Sequence, residues 1–292
     1  MERNWPQYNQ QLIKRGEFYI NPKFLSSWNK EIKEMTYRKI GNPYLYPQSM
    51  IEFLAVLHSR GFDYRALQGI VNALSKNIAP FPIISYTQIC RRINMLDINF
   101  NCNAAKELVV GCDGTGIKVS NRGEWMREKW KVKRGWVKVV LMGTPDGRIV
   151  DVRVGTETLN ERATARSMLK KNKNIKKAIF DGLHDCNATF NLCEQLKIEP
   201  VIKIRKNART RTGGYSGTKV RRREVRKYKE LGYERWCEQS SYGLRWPATE
   251  GIFSSVKRMF SESVRSAKRE NMYKEAKRKF WAYNKVVAYG RS

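Results

Sequence analysis

The chain has 292 residues, enough for two domains, and its 41% of hydrophobic residues suffices for a core, which excludes wholesale disorder. Its 57 Lys and Arg residues exceed its 27 Asp and Glu residues, so the net charge is +30. A small soluble domain typically carries a net charge of about 2–8. The sequence therefore predicts a polyanionic partner, and nucleic acid is the obvious one, with a merely solvated basic surface as the alternative.

Zinc and membrane functions are disfavoured by the same composition. The 6 cysteines form no C-x2-C pair and are accompanied by only 2 histidines, which argues against a Cys/His zinc site. The start of the chain lacks the apolar stretch of a secretory signal, and no apolar run approaches the roughly 20 residues that cross a bilayer. We therefore expect a cytoplasmic, nucleoid-associated protein without a membrane partner.

Residues 1–104 are predicted to form an all-α domain. Apolar residues at helical spacing indicate a helix over 49–58, Asp63 is expected to cap a second helix, and Ser85 with Gln88 forms a capping box at the start of a third. Three short helices ending in a basic one are typical of helix-turn-helix DNA readers, although other small helical bundles share this pattern. On the third helix, Arg91 and Arg92 are the expected DNA contacts.

From residue 107 the pattern alternates between strands and helices. Its order is strand, strand, strand, helix, strand, helix, strand, and the turn Thr144–Gly147 joins the second and third strands. Two helices near the C-terminus complete the chain. This order predicts an α/β fold, a mixed sheet flanked by helices that is similar to the ribonuclease H-like core, over residues 105–292.

A basic insertion at about 205–241 precedes the last catalytic helix of this predicted domain. Twelve cations lie between Lys203 and Lys229, with Glu224 as the only acid. We interpret the insertion as a phosphate-binding loop in which Arg221, Arg222 and Arg223 contact DNA; a solvated surface loop is the alternative.

Three acids stand where this topology would bring them together. Asp113 and Asp181 each end a strand, and Glu250 begins the helix that follows the insertion. If the first strand neighbours the fourth, the two aspartates lie side by side and Glu250 lies across them. Carboxylates without His or Cys select Mg²⁺ or Mn²⁺, and two such ions would support phosphoryl transfer.

Four stretches carry a resemblance to a known family: WPQYNQQLIKRG near the start, GCDGTGIKV around Asp113, FDGLHD around Asp181, and YGLRWPATEGIFSSVKRMF around Glu250. The chain resembles the DDE-type transposases of insertion sequences, in the group called the insertion sequence five family. The resemblance implies a DNA transposase with Asp113, Asp181 and Glu250 as catalytic metal ligands.

The last stretch is similar to that group's signature of Tyr, Arg, Glu and Lys. It implies DNA-binding roles for Tyr242, Arg245 and Lys257. Four residues separate Arg245 from Glu250 where the signature has three, so the chain departs from the pattern there. Lys257 lies seven residues after Glu250, about two helical turns, and shares its face; an ordinary exposed lysine is the alternative.

Other interpretations stay open at this point. Asp185 could be a further metal ligand but is better explained as a helix cap, and His184 could position a water or phosphate or be purely structural. The expected partner is double-stranded DNA, both transposon ends and target, bound by a homodimer or higher oligomer. An inactive DNA-binding repressor and a general ribonuclease H-like nuclease are the alternative functions.

Overall fold

A computed structural model describes residues 4–78, 81, 83–100, 107–120, 136–209 and 219–292. Its helices, in chain order, are α1 (Trp5–Glu17), α2 (Phe24–Thr36), α3 (Gln48–Ser59), α4 (Tyr64–Asn77), α5 (Tyr86–Met95), α6 (Glu161–Lys171), α7 (Asn187–Gln195), α8 (Lys219–Ser240), α9 (Arg245–Ala248), α10 (Glu250–Phe260) and α11 (Arg269–Arg291). Its strands are β1 (Leu108–Val119), β2 (Trp136–Gly143), β3 (Ile149–Gly155), β4 (Ile175–Phe180), β5 (Glu199–Ile202) and β6 (Ser263–Val264). No helix in these ranges is long and apolar enough to span a membrane.

The chain divides into two compact units. The first comprises residues 1–99, 259–261 and 266–292, and the second comprises residues 100–258 and 262–265. Residues 266–292, which carry α11, thus pack within the first unit. The functional domains predicted from the sequence, 1–104 and 105–292, divide the chain differently from these compact units, and that functional division stays a prediction.

The first unit is helical, as the sequence predicts. Asp63 caps α4 by accepting a hydrogen bond from the backbone N–H of Ala66 (2.8 Å), and Ser85 caps α5 through Gln88 N (3.4 Å). Helix α3 is buried along most of its length and packs against α11, which also contacts α1. The three helices expected around 49–95 are confirmed.

The second unit is built on a mixed sheet with strand order β3-β2-β1-β4-β5, and β6 pairs with the far end of β1. Strands β1, β2 and β3 are antiparallel, whereas β1, β4 and β5 are parallel. The first strand neighbours the fourth, which was the condition for placing the two aspartates side by side, and Gly111 pairs with Ile179. With helices flanking the sheet, this is a ribonuclease H-like α/β fold.

The core on one face of the sheet joins β1 and β4 to α6 and α7. Val110, Cys112 and Phe180 lie in this cluster with Met168 of α6 and Phe190 of α7. The other face of β1, where Gly111 lies, contacts the junction of α9 and α10. Side chains alternate between the faces of a strand, so Asp113 belongs to the same face as Gly111.

The structure differs from the sequence prediction in two elements. Strand β1 continues to Val119, beyond the expected end at Asp113. The insertion expected to be a loop is helical in its second part, where α8 runs from Lys219 to Ser240. Arg, Lys and Glu favour helices, and Val220 and Val225 are buried in the sheet's core, so helix formation buries apolar surface that a solvated loop would expose.

Candidate active site

Asp113 lies within β1, and Asp181 lies at the carboxyl end of the neighbouring parallel strand β4, each two residues beyond the paired residues Gly111 and Ile179. Asp181 follows β4 directly, and its Oδ1 accepts a hydrogen bond from Leu183 N (2.9 Å). Asp113 Oδ1 accepts one from Gly114 N (2.8 Å). Burial raises the pKa of Asp113, and the charge of Asp181 raises it further against the lowering effects of Gly114 N–H and Arg245.

Arg245 links the first acid to the third. Its Nη1 lies 3.0 Å from Asp113 Oδ2, and its Nη2 donates to Glu250 Oε1. The side chains of Arg245 and Asp113 are about four-fifths buried, whereas that of Glu250 is 44% exposed. One guanidinium therefore bridges two carboxylates on different elements.

The extra residue between Arg245 and Glu250 is accommodated by a break in the helix. Residues five apart in a continuous α-helix point about 140° away from each other. Here α9 ends at Ala248, and Thr249 takes the non-helical angles φ −132° and ψ −75° before α10 begins. The break lets Arg245 reach Glu250 despite the departure from the family spacing.

Two glycines make room for this break. Gly111 of β1 and Gly143 of β2 are register partners. A Cβ on Gly111 would lie 2.9 Å from Ala248 Cβ, and a Cβ on Gly143 would overlap the Ala248 carbonyl oxygen. Since real Cβ atoms do not approach so closely, larger residues would push the α9–α10 junction off the sheet.

Lys257 lies over the same face of β1. Its Nζ donates a hydrogen bond to Thr115 Oγ1 (2.9 Å), two residues after Asp113. The side chain is half-buried rather than freely exposed. Helix α10 therefore runs along β1, with Glu250 linked to Asp113 and Lys257 linked to Thr115.

Several residues predicted to bind DNA are engaged with other parts of the protein. Tyr242 is 9% exposed, and its ring packs on Trp236 (5.1 Å between centroids). Arg221 donates from Nε and Nη2 to Asp185, at 2.6 and 3.0 Å. Arg92 donates to the Tyr46 carbonyl oxygen (3.2 Å).

The remaining predicted contacts are more accessible. Arg91 is exposed on α5, Arg222 is half-buried on α8, and Arg223 is exposed beside Glu224, 3.3 Å away. Arg91 in the first unit and Arg223 in the second are therefore the predicted DNA contacts with exposed side chains.

The expectation that Asp185 caps the next helix is wrong. The residue at the start of α7 in the cap position is Cys186. The Asp185 carboxylate is fully buried, and it accepts from Arg205 N (3.1 Å) as well as from Arg221. A buried carboxylate needs such partners, so Asp185 ties α8 to the loop after β4.

A fourth acid, Glu161 at the start of α6, was missed by sequence reasoning. Its Oε2 lies 3.3 Å from Lys138 Nζ, and its Oε1 lies 4.0 Å from His184 Nε2. Burial raises its pKa, Lys138 lowers it, and the charges of Asp113 and Asp181 raise it again. In the sequence it looks like an ordinary acid in a first helical turn, so no local signal marks it.

The donor set suits a hard divalent cation, because it consists of carboxylate oxygens. Among the described residues, no three Asp, Glu, His or Cys side chains converge closely enough to hold a metal ion as they stand. Arg245 instead occupies two of the acids, Asp113 and Glu250. A divalent ion at this sheet edge would compete with the guanidinium for the same oxygens.

A ribonuclease H-like sheet with carboxylates on adjacent strands and on a following helix defines a class, enzymes that transfer phosphoryl groups of nucleic acids. Two family models, each described as a transposase DDE domain, match residues 13–122 and 105–285. The second covers more than half of the chain, and the chain belongs to the DDE transposase family. This family acts on DNA and generally uses divalent metal ions. No curated protein matches the sequence.

Proposed function

We propose that this transposase binds the terminal inverted repeats of its own mobile element, cleaves a strand at each end, and joins the freed ends to target DNA. Asp113, Asp181 and Glu250 are the proposed catalytic residues and metal ligands. Mg²⁺ or Mn²⁺, as two ions, is the proposed cofactor.

The observation that carries the proposal is the link between Asp113 and Glu250. Arg245 bonds to both acids across a helix break, although the spacing of the two signature residues is one residue too long. The link brings Asp113 and Glu250, which come from different elements, to one place, as the binding of a metal ion by both acids requires. The link therefore favours an active enzyme over an inactive DNA-binding repressor.

The chemistry consists of two displacements at phosphorus. In the first, a water oxygen forms a bond to the phosphorus at the element's end, and the 3′-oxygen leaves as a hydroxyl with a proton. In the second, that 3′-hydroxyl gives up its proton and its oxygen bonds to a target phosphorus, while the bond from that phosphorus to a target 3′-oxygen breaks and the departing oxygen takes up a proton. The divalent ions, held by Asp113, Asp181 and Glu250, would lower the pKa of the attacking hydroxyl and stabilise the departing oxygen.

Other residues of the site position the substrate. Arg245 and Lys257 each present a cation beside the acids and can bind a phosphate once DNA or metal claims the acids. The buried ring of Tyr242 suits positioning of Arg245 rather than DNA contact.

DNA recognition is assigned to two helices. Helix α5 exposes Gln88 and Arg91, which suits a recognition helix in the major groove. Helix α8 exposes Arg223, Arg226 and Lys227, which suits phosphate contact.

Because two element ends must be joined in one event, we propose a homodimer or higher oligomer.

The test is cleavage of a duplex carrying the element's end by the purified full chain with Mg²⁺. We expect Asp113→Asn, Asp181→Asn and Glu250→Gln each to reduce cleavage at least 10³-fold, in line with the loss of a group central to transition-state stabilisation. Glu157→Gln, an exposed acid of the same unit, is the control and should cleave like the parent. Parental activity in all three variants would overturn the assignment.

Two further arms separate the alternative functions. Calorimetry with Mn²⁺ in the presence of end DNA would show no binding if the protein were only a repressor. A scrambled duplex would be cut as well as the repeat if the protein were a general nuclease.

A further inference from the structure

Glu161, on the α6 side of the sheet, contacts β1 next to Asp113 and faces the turn that follows Asp181. It is in close contact with Gly114, the residue after Asp113, where an added Cβ would lie 2.8 Å from the Glu161 Cδ. Its other oxygen faces His184, which belongs to the short helical turn that follows Asp181. The absence of a side chain at Gly114 is what lets this carboxylate approach the end of the sheet.

His184 supplies an independent indication that this spot is built for a ligand. Its side chain is fully buried, and neither ring nitrogen has a hydrogen-bond partner. The ring packs on Phe180 (4.4 Å between centroids) and points its Nε2 toward Glu161. A buried polar group without a partner is costly. An additional group held by Glu161 would lie where it could supply the partner that His184 lacks.

We propose that Glu161 is a fourth carboxylate of the active site, which helps to hold a divalent cation beside Asp113 and Asp181. This inference rests on the proposed function, because it adds a ligand to the same metal site. Lys138 takes the place of the cation in the present structure, with its Nζ 3.3 Å from Glu161 Oε2. Lys138 lies on β2 opposite Gly116, on the same side of the sheet as α6.

The competing explanation is a purely structural ion pair between Glu161 and Lys138. Both explanations predict some loss of thermal stability when Glu161 is changed. They differ for Lys138: if it merely pairs with Glu161, its removal leaves metal affinity unchanged. If it holds a position that the cation takes over, its removal frees a carboxylate and raises metal affinity.

Mn²⁺ binding to the full-length protein by titration calorimetry distinguishes the two. We expect Glu161→Gln to weaken Mn²⁺ binding by about tenfold or more, the lower end of what the loss of a partner at a metal site costs. Lys138→Gln should strengthen binding, and Glu157→Gln should leave it unchanged. Melting temperatures without metal report any general loss of structure.

Unchanged Mn²⁺ affinity in Glu161→Gln, together with weakened affinity in Asp113→Asn, would overturn this inference and leave the proposed function intact. Unchanged affinity in Asp113→Asn and Asp181→Asn as well would overturn both. If Glu161→Gln fails to fold, Glu161→Asp, which keeps the charge on a shorter side chain, serves instead. Weakened Mn²⁺ binding in Glu161→Asp supports the proposal. Unchanged Mn²⁺ binding in both Glu161→Asp and Lys138→Gln contradicts it.

Discussion

Asp113 carries a charge that the fold tolerates poorly. Burial and the neighbouring Asp181 raise its pKa above the ordinary 3.8, even though Gly114 N–H and Arg245 act in the opposite direction. A carboxyl with a raised pKa in the folded state stabilises the fold only while it is protonated. That contribution is complete below pH 3.8 and is lost as the pH rises through the higher folded-state pKa.

It follows that Asp113→Asn should melt at a higher temperature than the parent at pH 7 without divalent ions, although it should not cleave DNA. The difference should shrink as the pH falls toward 4, because the parent then becomes neutral at this position. Added Mn²⁺ should raise the melting temperature of the parent more than that of the variant. Scanning fluorimetry from pH 4 to 8 measures all three effects, and a variant less stable than the parent at pH 7 would contradict the argument.

The residues of the site differ in how far sequence could identify them. Asp113 and Asp181 were expected at the ends of two strands, and they come together because β1 and β4 are parallel neighbours, although β1 continues to Val119; Glu250 follows from the family signature. Glu161 lacked any such marker, because its importance comes from a missing side chain at Gly114 on another element. The pairing of Arg221 with Asp185 was equally hidden, since 36 residues separate the two.

At the scale of elements, the α9–α10 break depends on the two glycines beneath it. Gly143→Ala would place a methyl group against the Ala248 carbonyl and 2.5 Å from Ile252 Cδ1. We expect a loss of about 1–3 kcal/mol in stability, typical of overpacking, and a fall in cleavage because Arg245 and Glu250 shift apart. Gly69→Ala is the matched control: Gly69 lies in α4 with nothing within 4 Å, so the change should stabilise by about 0.5–1 kcal/mol. Denaturant unfolding of both variants checks this. A Gly143→Ala protein as stable and active as the parent would show that the α9–α10 break does not depend on the space above Gly143.

Helix α8 bends at Gly232 for a backbone reason alone. Its angles, φ 72° and ψ 168°, are in a region that is essentially restricted to glycine. Gly232→Ala should therefore cost about 1–3 kcal/mol even though no atom stands within 4 Å of an added Cβ. Gly243→Ala, which also meets no neighbour and has no positive φ, should be close to neutral. Equal unfolding midpoints for the two variants would show that the bend is not enforced by this backbone conformation.

Periodicity and caps were enough to predict most elements of both units. The caps at Asp63 and Ser85 and the β2–β3 hairpin follow from local pattern, whereas the contact of β1 with β4 accompanies the likeness of the element order to the ribonuclease H-like core. Helix α8 was not predicted, because its many cations were interpreted as a phosphate-binding loop. The burial of Val220 and Val225 is visible only in the structure. The interruption at Thr249 could not be predicted either, since it depends on the space above Gly111 and Gly143.

At the scale of the whole molecule, the cations behind the net charge of +30 fall into two groups with different effects on DNA binding. Some cations are bound internally, as Arg245 is by Asp113 and Glu250 and Arg221 is by Asp185. Others, such as Arg223 and Arg226, stand exposed on α8. Only the second kind displaces counterions when DNA binds, so the salt dependence of affinity should report which cations face the phosphates.

With about 6–10 phosphate contacts, affinity for end DNA should fall roughly 10³–10⁵-fold between about 50 and 200 mM salt. Arg223→Gln with Arg226→Gln should reduce the slope of log affinity against log salt by about 0.9 for each cation removed. Arg221→Gln should leave that slope unchanged but destabilise the protein by about 3 kcal/mol, because it strands the buried Asp185 carboxylate. Fluorescence anisotropy with a labelled duplex, below the melting temperature of each variant, measures the slopes. A slope that falls equally in Arg221→Gln would mean that the internal pair opens to DNA, and a flat salt response in the parent would remove α8 from the DNA interface altogether.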